Sequence, residues 1–221
     1  MQELVDAGID IARINLSHGS HDDHRRRARE LHACAENRGR AVGLLLDLQG
    51  PKIRVECFQK GPVTLENGAI FVIDSEHPAQ SGTAKRVGTS YPHLSRDLEL
   101  GDSLLLDDGN VVLTVEELSD TSVTARVEEG GVLSDHKGIN RRGGGLTARA
   151  LTDKDRLDVQ LAAEIGADYV GVSFVRDADD LDTARRWLRE AGCEAHLVAK
   201  IERVEALDNI CLLYTSDAAD E

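Results

Sequence analysis

The alternation of apolar and polar residues predicts a strand, a helix and a second strand near the start of the chain. The first strand is predicted over residues 9–16 and the helix over residues 24–36. A short, wholly apolar run over residues 41–46 predicts the second strand, which leads into Asp47. Strand, helix and strand with short links form a βαβ unit, and uninterrupted apolar strands are typical of a sheet buried on both faces.

The pattern changes after residue 54. Between residues 55 and 136, short apolar runs alternate with turn sequences rich in glycine, asparagine and aspartate, and helical periodicity is weak. We therefore predict that residues 55–136 form an inserted all-β domain, with the form of a small barrel.

The α/β rhythm returns over residues 137–210. Helices are predicted at 153–165 and 178–191, and strands at 169–175 and in the run that ends at Lys200. The sequence therefore predicts an α/β body, residues 1–54 and 137–210, interrupted by the all-β domain.

Both ends of the chain depart from this rhythm. The first residues read as the end of a helix with no strand before it. Residues 211–221 break the helix that residues 203–210 predict, and they resemble a translated sequencing adapter. We interpret 211–221 as an adapter-derived artefact, and we expect the natural sequence to depart from the given one after Ile210.

Composition excludes several classes of partner. With 26 Lys and Arg against 40 Asp and Glu, the formal net charge is −14, which argues against nucleic acid and anionic membranes as partners. The four cysteines lack the spacing of a metal site, so we interpret them as structural thiols in a reducing cytosol. No apolar stretch approaches the ~18 residues that a membrane span needs, so a cytoplasmic location is expected.

Lys200-Ile201-Glu202 closes the apolar run 196–199. Side chains two residues apart lie on the same face of a strand, so an ammonium and a carboxylate are predicted to point together. At the carboxyl end of a parallel strand this pair suits a metal-bridged anionic substrate. A solvated strand end is the alternative for a KxE sequence on its own.

Polar side chains also follow the first two predicted strands. Arg13, Asn15 and Ser17 share one face, with His18 at the exit, and this set suits phosphate or carboxylate binding. The segment 47–54 places charged residues around a Gly-Pro turn. An ordinary polar strand end and a hinge loop with incidental charges are the alternatives.

The ordered blocks ARINLSHG, LLLDLQGPKIR, LLLDDGNV, HKGIN, LTDKD, GADYVGVSFVR and VAKIE resemble pyruvate kinase over residues 1–210. The resemblance implies a partial (β/α)8 barrel interrupted by a small β-barrel lid. It also implies phosphoryl transfer from phosphoenolpyruvate to ADP, giving pyruvate and ATP in glycolysis, with Mg²⁺ or Mn²⁺. For the complete protein it implies a homotetramer, and we expect this chain to be an inactive part of it.

The resemblance also implies roles for individual residues. Lys200 would stabilise charge on the transferring phosphoryl group, Glu202 would bind the divalent metal, and Arg13 would clamp the substrate phosphate. The residues implied to contact substrate or nucleotide are Arg13, Asn15, His18, Arg54, Lys137 and Ser173. The positions implied for a monovalent cation are Asn15, Ser17, Asp47 and the Leu48 carbonyl.

One departure from the family pattern concerns potassium. Members that need K⁺ usually read Asp-Thr-Lys-Gly-Pro-Glu, whereas this chain reads Asp47-Leu48-Gln49-Gly50-Pro51-Lys52. An ammonium at Lys52 can supply the positive charge that K⁺ otherwise brings. We therefore hypothesise that the complete protein does not require K⁺.

Two other functions remain open at this point. A metal-dependent barrel aldolase or lyase that acts on pyruvate-like acids would also place carboxylates and arginines at strand ends. Alternatively, the all-β segment could be a non-catalytic binding module, although it lacks the basic stripe and aromatic residues that nucleic-acid binding needs.

Overall fold

The computed structural model describes residues 1–51 and 53–215. The chain forms two compact units. One, which we name the parallel-sheet unit, comprises Met1–Pro51 and the chain from Arg149 onward. The other, which we name the all-β unit, lies between these two segments and runs to Ala148.

The described residues form both strands and helices. The strands are β1 (Ile11–Asn15), β2 (Gly43–Asp47), β3 (Val63–Leu65), β4 (Ile70–Asp74), β5 (Arg86–Gly88), β6 (Ser103–Leu106), β7 (Val111–Leu118), β8 (Ser122–Glu129), β9 (Gly131–Leu133), β10 (Ile139–Arg141), β11 (Tyr169–Val172) and β12 (His196–Ala199). The helices are α1 (Gln2–Asp6), α2 (His21–Asn37), α3 (Asp153–Ile165), α4 (Ala178–Glu190), α5 (Val204–Asp208) and α6 (Ile210–Thr215).

The parallel-sheet unit contains a four-stranded sheet in the order β1-β2-β11-β12. Every pairing in it is parallel, with Asn15 opposite Asp47 and Gly171 opposite Asp47 on the other side. Because the strands run in one direction, their carboxyl ends meet at one edge. The core of this unit includes Leu31, Leu44, Leu46, Val170 and Val172, each at most 1% exposed.

Capping residues set where two of the helices that pack on this sheet begin. Helix α2 starts after Ser20, whose side chain and that of Asp23 form a reciprocal capping box. Thr152 and Asp155 form the same arrangement at the start of α3, which ends at Gly166 with φ +66°. The helix predicted over residues 153–165 therefore has the bounds that the structure gives.

The all-β unit contains a six-stranded sheet in the order β10-β6-β7-β8-β4-β5 and a two-stranded sheet of β3 and β9. Single backbone bridges join its outer strands: Val55 pairs with Thr89 after β5, and Arg54 pairs with Gly138 before β10. The six-stranded sheet therefore closes on itself as a barrel. Its interior includes Phe71, Leu104, Leu106 and Leu113, all fully buried.

The predicted fold class is confirmed. The chain is an α/β protein in which a partial (β/α)8 barrel is interrupted by a small all-β barrel. In the part of the chain that the structure describes, no helix is both long enough and apolar enough to cross a membrane.

Three segments differ from the sequence expectation. Residues 137–148 lie with the all-β unit, because β10 pairs with β6 along the backbone. The strand predicted over 169–175 ends at Val172, because Phe174 has a left-handed backbone with φ +56°. In the segment set aside as an artefact, the residues up to Thr215 are helical and Leu213 is buried; residues 216–221 lie outside the described part of the chain.

Candidate active site

The carboxyl edge of the parallel sheet brings charged residues from three segments together. Strand β1 supplies Arg13, β2 ends at Asp47, and Lys200 follows β12 directly. Asp47 is the centre of the group and is 2% exposed. A buried carboxylate needs charged or hydrogen-bonding partners, and this arrangement provides both.

Each oxygen of Asp47 has a cationic partner. The Arg13 Nε donates to Oδ2 at 2.8 Å, and a second guanidinium nitrogen of Arg13 contacts the same oxygen. The Lys200 Nζ lies 3.0 Å from Oδ1. Sequence reasoning assigned Asp47 only to the cation positions, because its pairing with Arg13 and Lys200 depends on the alignment of separate strands.

Three oxygens surround the Lys200 ammonium group. Besides Asp47, the Ser173 Oγ lies 2.8 Å from Nζ and the Glu202 Oε1 lies 3.0 Å from it. An ammonium group has three hydrogens to donate, so each hydrogen has an acceptor. The expectation that Lys200 and Glu202 point together therefore agrees with the geometry.

Ser173 and Phe174 fix this arrangement from the end of β11. The Ser173 hydroxyl donates to the Leu48 carbonyl at 2.6 Å, which leaves its lone pairs for Lys200. The next backbone N–H, that of Phe174, donates to Glu202 Oε2 at 3.0 Å. Both carboxylate oxygens of Glu202 are thereby held in place. Sequence reasoning did not single out Phe174, because the group that acts is its backbone N–H.

The turn after β1 is held by polar groups. Asn15 Oδ1 accepts the N–H of Ser17 at 2.9 Å, and the Lys154 Nζ donates to the Leu16 carbonyl at 3.0 Å. Lys154 is also 2.5 Å from the fully buried Asp158. Sequence reasoning quoted the LTDKD block, which contains Lys154, without giving that lysine a role, and it did not single out Asp158. Their spacing of four residues on α3 is the signal that places them on one face.

A groove of about 510 Å³ runs beside β1 in the parallel-sheet unit. Arg13, Asn15 and His18 line it together with apolar side chains that include Ile9 and Ile11. His18 is exposed, so its imidazole is accessible from solvent. The groove thus brings three of the predicted phosphate-binding residues to one accessible surface.

The comparisons with known proteins identify the family. Residues 1–219 match the family described as pyruvate kinase, barrel domain. The chain belongs to the pyruvate kinase family. It is 48% identical over 207 residues to pyruvate kinase II of Salmonella typhimurium, which covers 94% of this chain and 43% of that relative.

Other pyruvate kinases show similar identity. That of Haemophilus influenzae is 46% identical over 209 residues, covering 95% of this chain and 44% of the relative. That of Mycobacterium tuberculosis is 40% identical over 210 residues, again covering 95% of this chain and 44% of the relative. The chain therefore spans less than half the length of these pyruvate kinase relatives.

Two further predicted site residues of this pyruvate kinase family member, Arg54 and Lys137, lie in the all-β unit. Arg54 donates to the His136 carbonyl at 2.7 Å, and the Lys137 Nζ lies 2.7 Å from Asp107 Oδ1. The hydrogen bond from Lys137 lowers the pKa of the Asp107 carboxyl below its ordinary value, and one from Asn110 adds to the effect. Lys52 lies outside the described residues.

The oxygen atoms at the carboxyl edge of the parallel sheet are of the kind that a hard divalent cation prefers as ligands. Mg²⁺ is commonly bound by one or two carboxylates together with waters and substrate phosphates. Glu202 supplies such a carboxylate. Among the described residues, no group of three or more His, Cys, Asp or Glu side chains is arranged to hold a metal ion. The Glu202 carboxylate is therefore a ligand of the kind that Mg²⁺ prefers.

Proposed function

We propose that the protein to which this chain belongs transfers a phosphoryl group from phosphoenolpyruvate to ADP, giving pyruvate and ATP. The observation that carries the proposal is the Lys200 ammonium group, held by Asp47, Ser173 and Glu202 at the carboxyl edge of the sheet. Phosphoryl transfer needs little covalent chemistry from the protein, and fixed positive charge supplies most of the stabilisation.

Arg13 and Lys200, at the carboxyl edge of the parallel sheet, have different roles in the proposed mechanism. Arg13 is 57% exposed although it pairs with Asp47, so its guanidinium is accessible to bind the phosphate of phosphoenolpyruvate. Lys200 is 30% exposed and meets the negative charge on the phosphoryl oxygens as the group moves. Asp47 contacts both side chains and so holds them in position before substrate binds.

Glu202 would hold Mg²⁺ or Mn²⁺, which neutralises phosphate charge when bound. Its carboxylate is oriented by Lys200 on one oxygen and by the Phe174 N–H on the other. Ser173 contributes to the substrate site through Lys200. We further propose that Asn15, His18, Arg54 and Lys137 contact the nucleotide.

The proposed monovalent-cation positions are Asn15, Ser17, Asp47 and the Leu48 carbonyl. Three of their oxygen groups already have partners: the Asn15 side chain, both Asp47 oxygens and the Leu48 carbonyl. This engagement supports the proposal that K⁺ is not required. Replacing K⁺ with Na⁺ or a bulky organic cation in the assay is therefore expected to leave the rate nearly unchanged, and a large loss of rate would overturn this part.

The decisive experiment assays pyruvate formation from phosphoenolpyruvate by the complete protein, with and without ADP. Lys200→Met is expected to lower kcat by about 10²- to 10³-fold, the range for removal of one transition-state stabilising group. Lys60→Met changes an exposed lysine of the all-β unit and serves as the control. Pyruvate release that does not need ADP, or aldol cleavage of a pyruvate-like acid, would support the lyase alternative instead.

We also propose that the complete protein is a cytoplasmic homotetramer and that this chain alone does not turn over substrate. The parallel sheet of the described residues exposes apolar side chains at its outer strands, including Ile11 at 49% and Val198 at 37%. Because the described barrel is partial, these outer strands lack the neighbours that a closed barrel would give them, which supports the proposal that this chain alone is inactive. The same ADP-dependent assay on the 221-residue chain tests its inactivity, and turnover at the rate of the complete protein would contradict it.

A further inference from the structure

The residue after Ser173 has an unusual backbone. Among the residues that the structure describes, the positive-φ positions without glycine are Asp107, Asp108, His136 and Phe174. Aspartate and histidine are residue types that enter the left-handed region comparatively often, whereas a bulky aromatic residue seldom does. The φ of +56° at Phe174 therefore needs surroundings that hold it in place.

Gly50 provides those surroundings. A Cβ at Gly50 would lie 3.0 Å from Phe174 Cδ2 and 3.2 Å from Ser173 Cβ, so the aromatic ring packs directly on the Gly50 backbone. The N–H of Gly50 donates to Asp155 Oδ1 at 3.1 Å, and Asp155 is fully buried. The other oxygen of Asp155 caps α3 through Thr152. A buried carboxylate thus fixes Gly50, and Gly50 fixes Phe174.

The consequence appears at Glu202. The Phe174 N–H donates to Glu202 Oε2 at 3.0 Å, while the Lys200 Nζ contacts Oε1 at 3.0 Å. A carboxylate with one flexible partner can rotate with that partner, whereas a second contact from the backbone fixes its plane. Glu202 itself follows the end of β12 and is part of no helix or strand, so the orientation comes from these contacts.

We propose that Phe174 is a positioning residue: its left-handed backbone, packed on Gly50, presents the N–H that orients the Glu202 carboxylate toward a divalent cation. The inference rests on the metal role that the proposed function gives to Glu202. It adds a function for Phe174 and Gly50, neither of which needs to touch substrate or metal.

Two substitutions separate this role from simple packing. Phe174→Asn removes the ring but tolerates the left-handed backbone, whereas Phe174→Ile keeps apolar volume but disfavours that backbone because it is β-branched. If the backbone conformation matters, the asparagine variant retains metal binding better than the isoleucine variant. If Phe174 only fills space, the order is reversed.

The measurement is the affinity of the complete protein for Mn²⁺, followed by electron paramagnetic resonance of the free ion. Phe174→Ile is expected to weaken Mn²⁺ binding about ten-fold, and Phe174→Asn to keep it within about three-fold of wild type. Gly50→Ala, which pushes a methyl group against the ring and also strains the left-handed backbone of residue 50 itself, is expected to weaken binding in the same direction and replaces the isoleucine variant if that one does not fold. Unfolding curves for each variant show that the comparison is made between folded proteins.

Glu202→Gln distinguishes the two possible failures. If Glu202→Gln leaves Mn²⁺ affinity unchanged, the metal role in the proposed function is wrong, and the inference fails with it. If Glu202→Gln weakens binding but the Phe174 and Gly50 variants keep wild-type affinity, or Phe174→Ile binds better than Phe174→Asn, Phe174 does not position the carboxylate and the proposed function stands.

Discussion

The two units differ in whether the edges of their main sheets are open or closed. In the described parallel-sheet unit, β1 and β12 are outer strands, and Ile11 and Val198 on them are exposed. In the all-β unit, backbone bridges at Arg54 and Val55 connect the outer strands. A closed sheet leaves no strand edge unpaired. The parallel sheet is open at β1 and β12, and the charged residues lie at the carboxyl ends of its strands.

The charged residues of the two units follow the same division. Around Asp47, a cation from β1 and a cation that follows β12 share one buried carboxylate. Among the described residues of the all-β unit, Lys137 pairs with Asp107 alone through a partly exposed contact. The comparison shows that side chains from several segments can share one carboxylate where parallel strands end at the same edge. In the barrel of the all-β unit, Lys137 and Asp107 form a single ion pair instead.

The largest expected effect tests whether the two units unfold separately. Leu113 and Leu46 are both fully buried, one in each unit, and truncation of either to alanine is expected to cost about 2–5 kcal/mol. Trp187 is the single tryptophan and packs on the parallel-sheet core, so its fluorescence reports that unit alone. Leu113→Ala should therefore shift the circular-dichroism transition while the fluorescence transition stays in place.

Leu46→Ala is the matched counterpart and should lower the fluorescence transition. If each substitution shifts both signals by the same amount, the two units unfold as one cooperative body, and the comparison between them does not extend to their stability.

A smaller effect is expected at the shared carboxylate. Asp47→Asn removes the charge that Arg13 and Lys200 both contact, and we expect a loss of about 1–3 kcal/mol, the range for a buried group deprived of its partner. The corresponding change in the all-β unit, Asp107→Asn, affects a single, partly exposed ion pair and is expected to cost less, because solvent screens such a pair. Urea unfolding of both variants measures the difference, and equal losses would contradict the contrast between a shared carboxylate and a single ion pair.

The smallest effect is a pH dependence confined to the parallel-sheet unit. His24 is 1% exposed, and within the described residues its Nδ1 has no hydrogen-bond partner. Burial lowers the pKa of its imidazole below the ordinary value of 6.5, with Arg27 adding to the decrease and Asp158 opposing it. The smaller contributions of His21 and Lys154 also lower this pKa.

The sign of the effect follows from proton linkage. As the pH falls through 6.5, the unfolded chain takes up the His24 proton before the folded chain does, so stability is complete above this pH and is lost below it. His24→Leu should reduce the acid loss that tryptophan fluorescence detects during urea unfolding. An unchanged acid loss in this variant would show that other groups cause it.

Local sequence signals predicted several elements accurately. Helix α3 begins and ends where Thr152 and Gly166 place its caps, because capping depends on neighbouring residues alone. Strand alternation predicted that Lys200 and Glu202 lie side by side, and their side chains do meet, although both residues follow the end of β12. The predicted end of the all-β unit, residue 136, lies before the observed end at Ala148. The reason is that β10 belongs to this unit through its pairing with β6, which joins residues distant in sequence.

The sequence by itself determined the fold class, the family and the residues that carry charge at the strand ends, since each depends on local patterns and ordered motifs. Only the tertiary structure decided that Asp47 joins Arg13 to Lys200, and that the backbone of Phe174 reaches Glu202. The physical reason is that these contacts depend on the register of neighbouring strands and on one left-handed residue packed against Gly50, neither of which local sequence specifies.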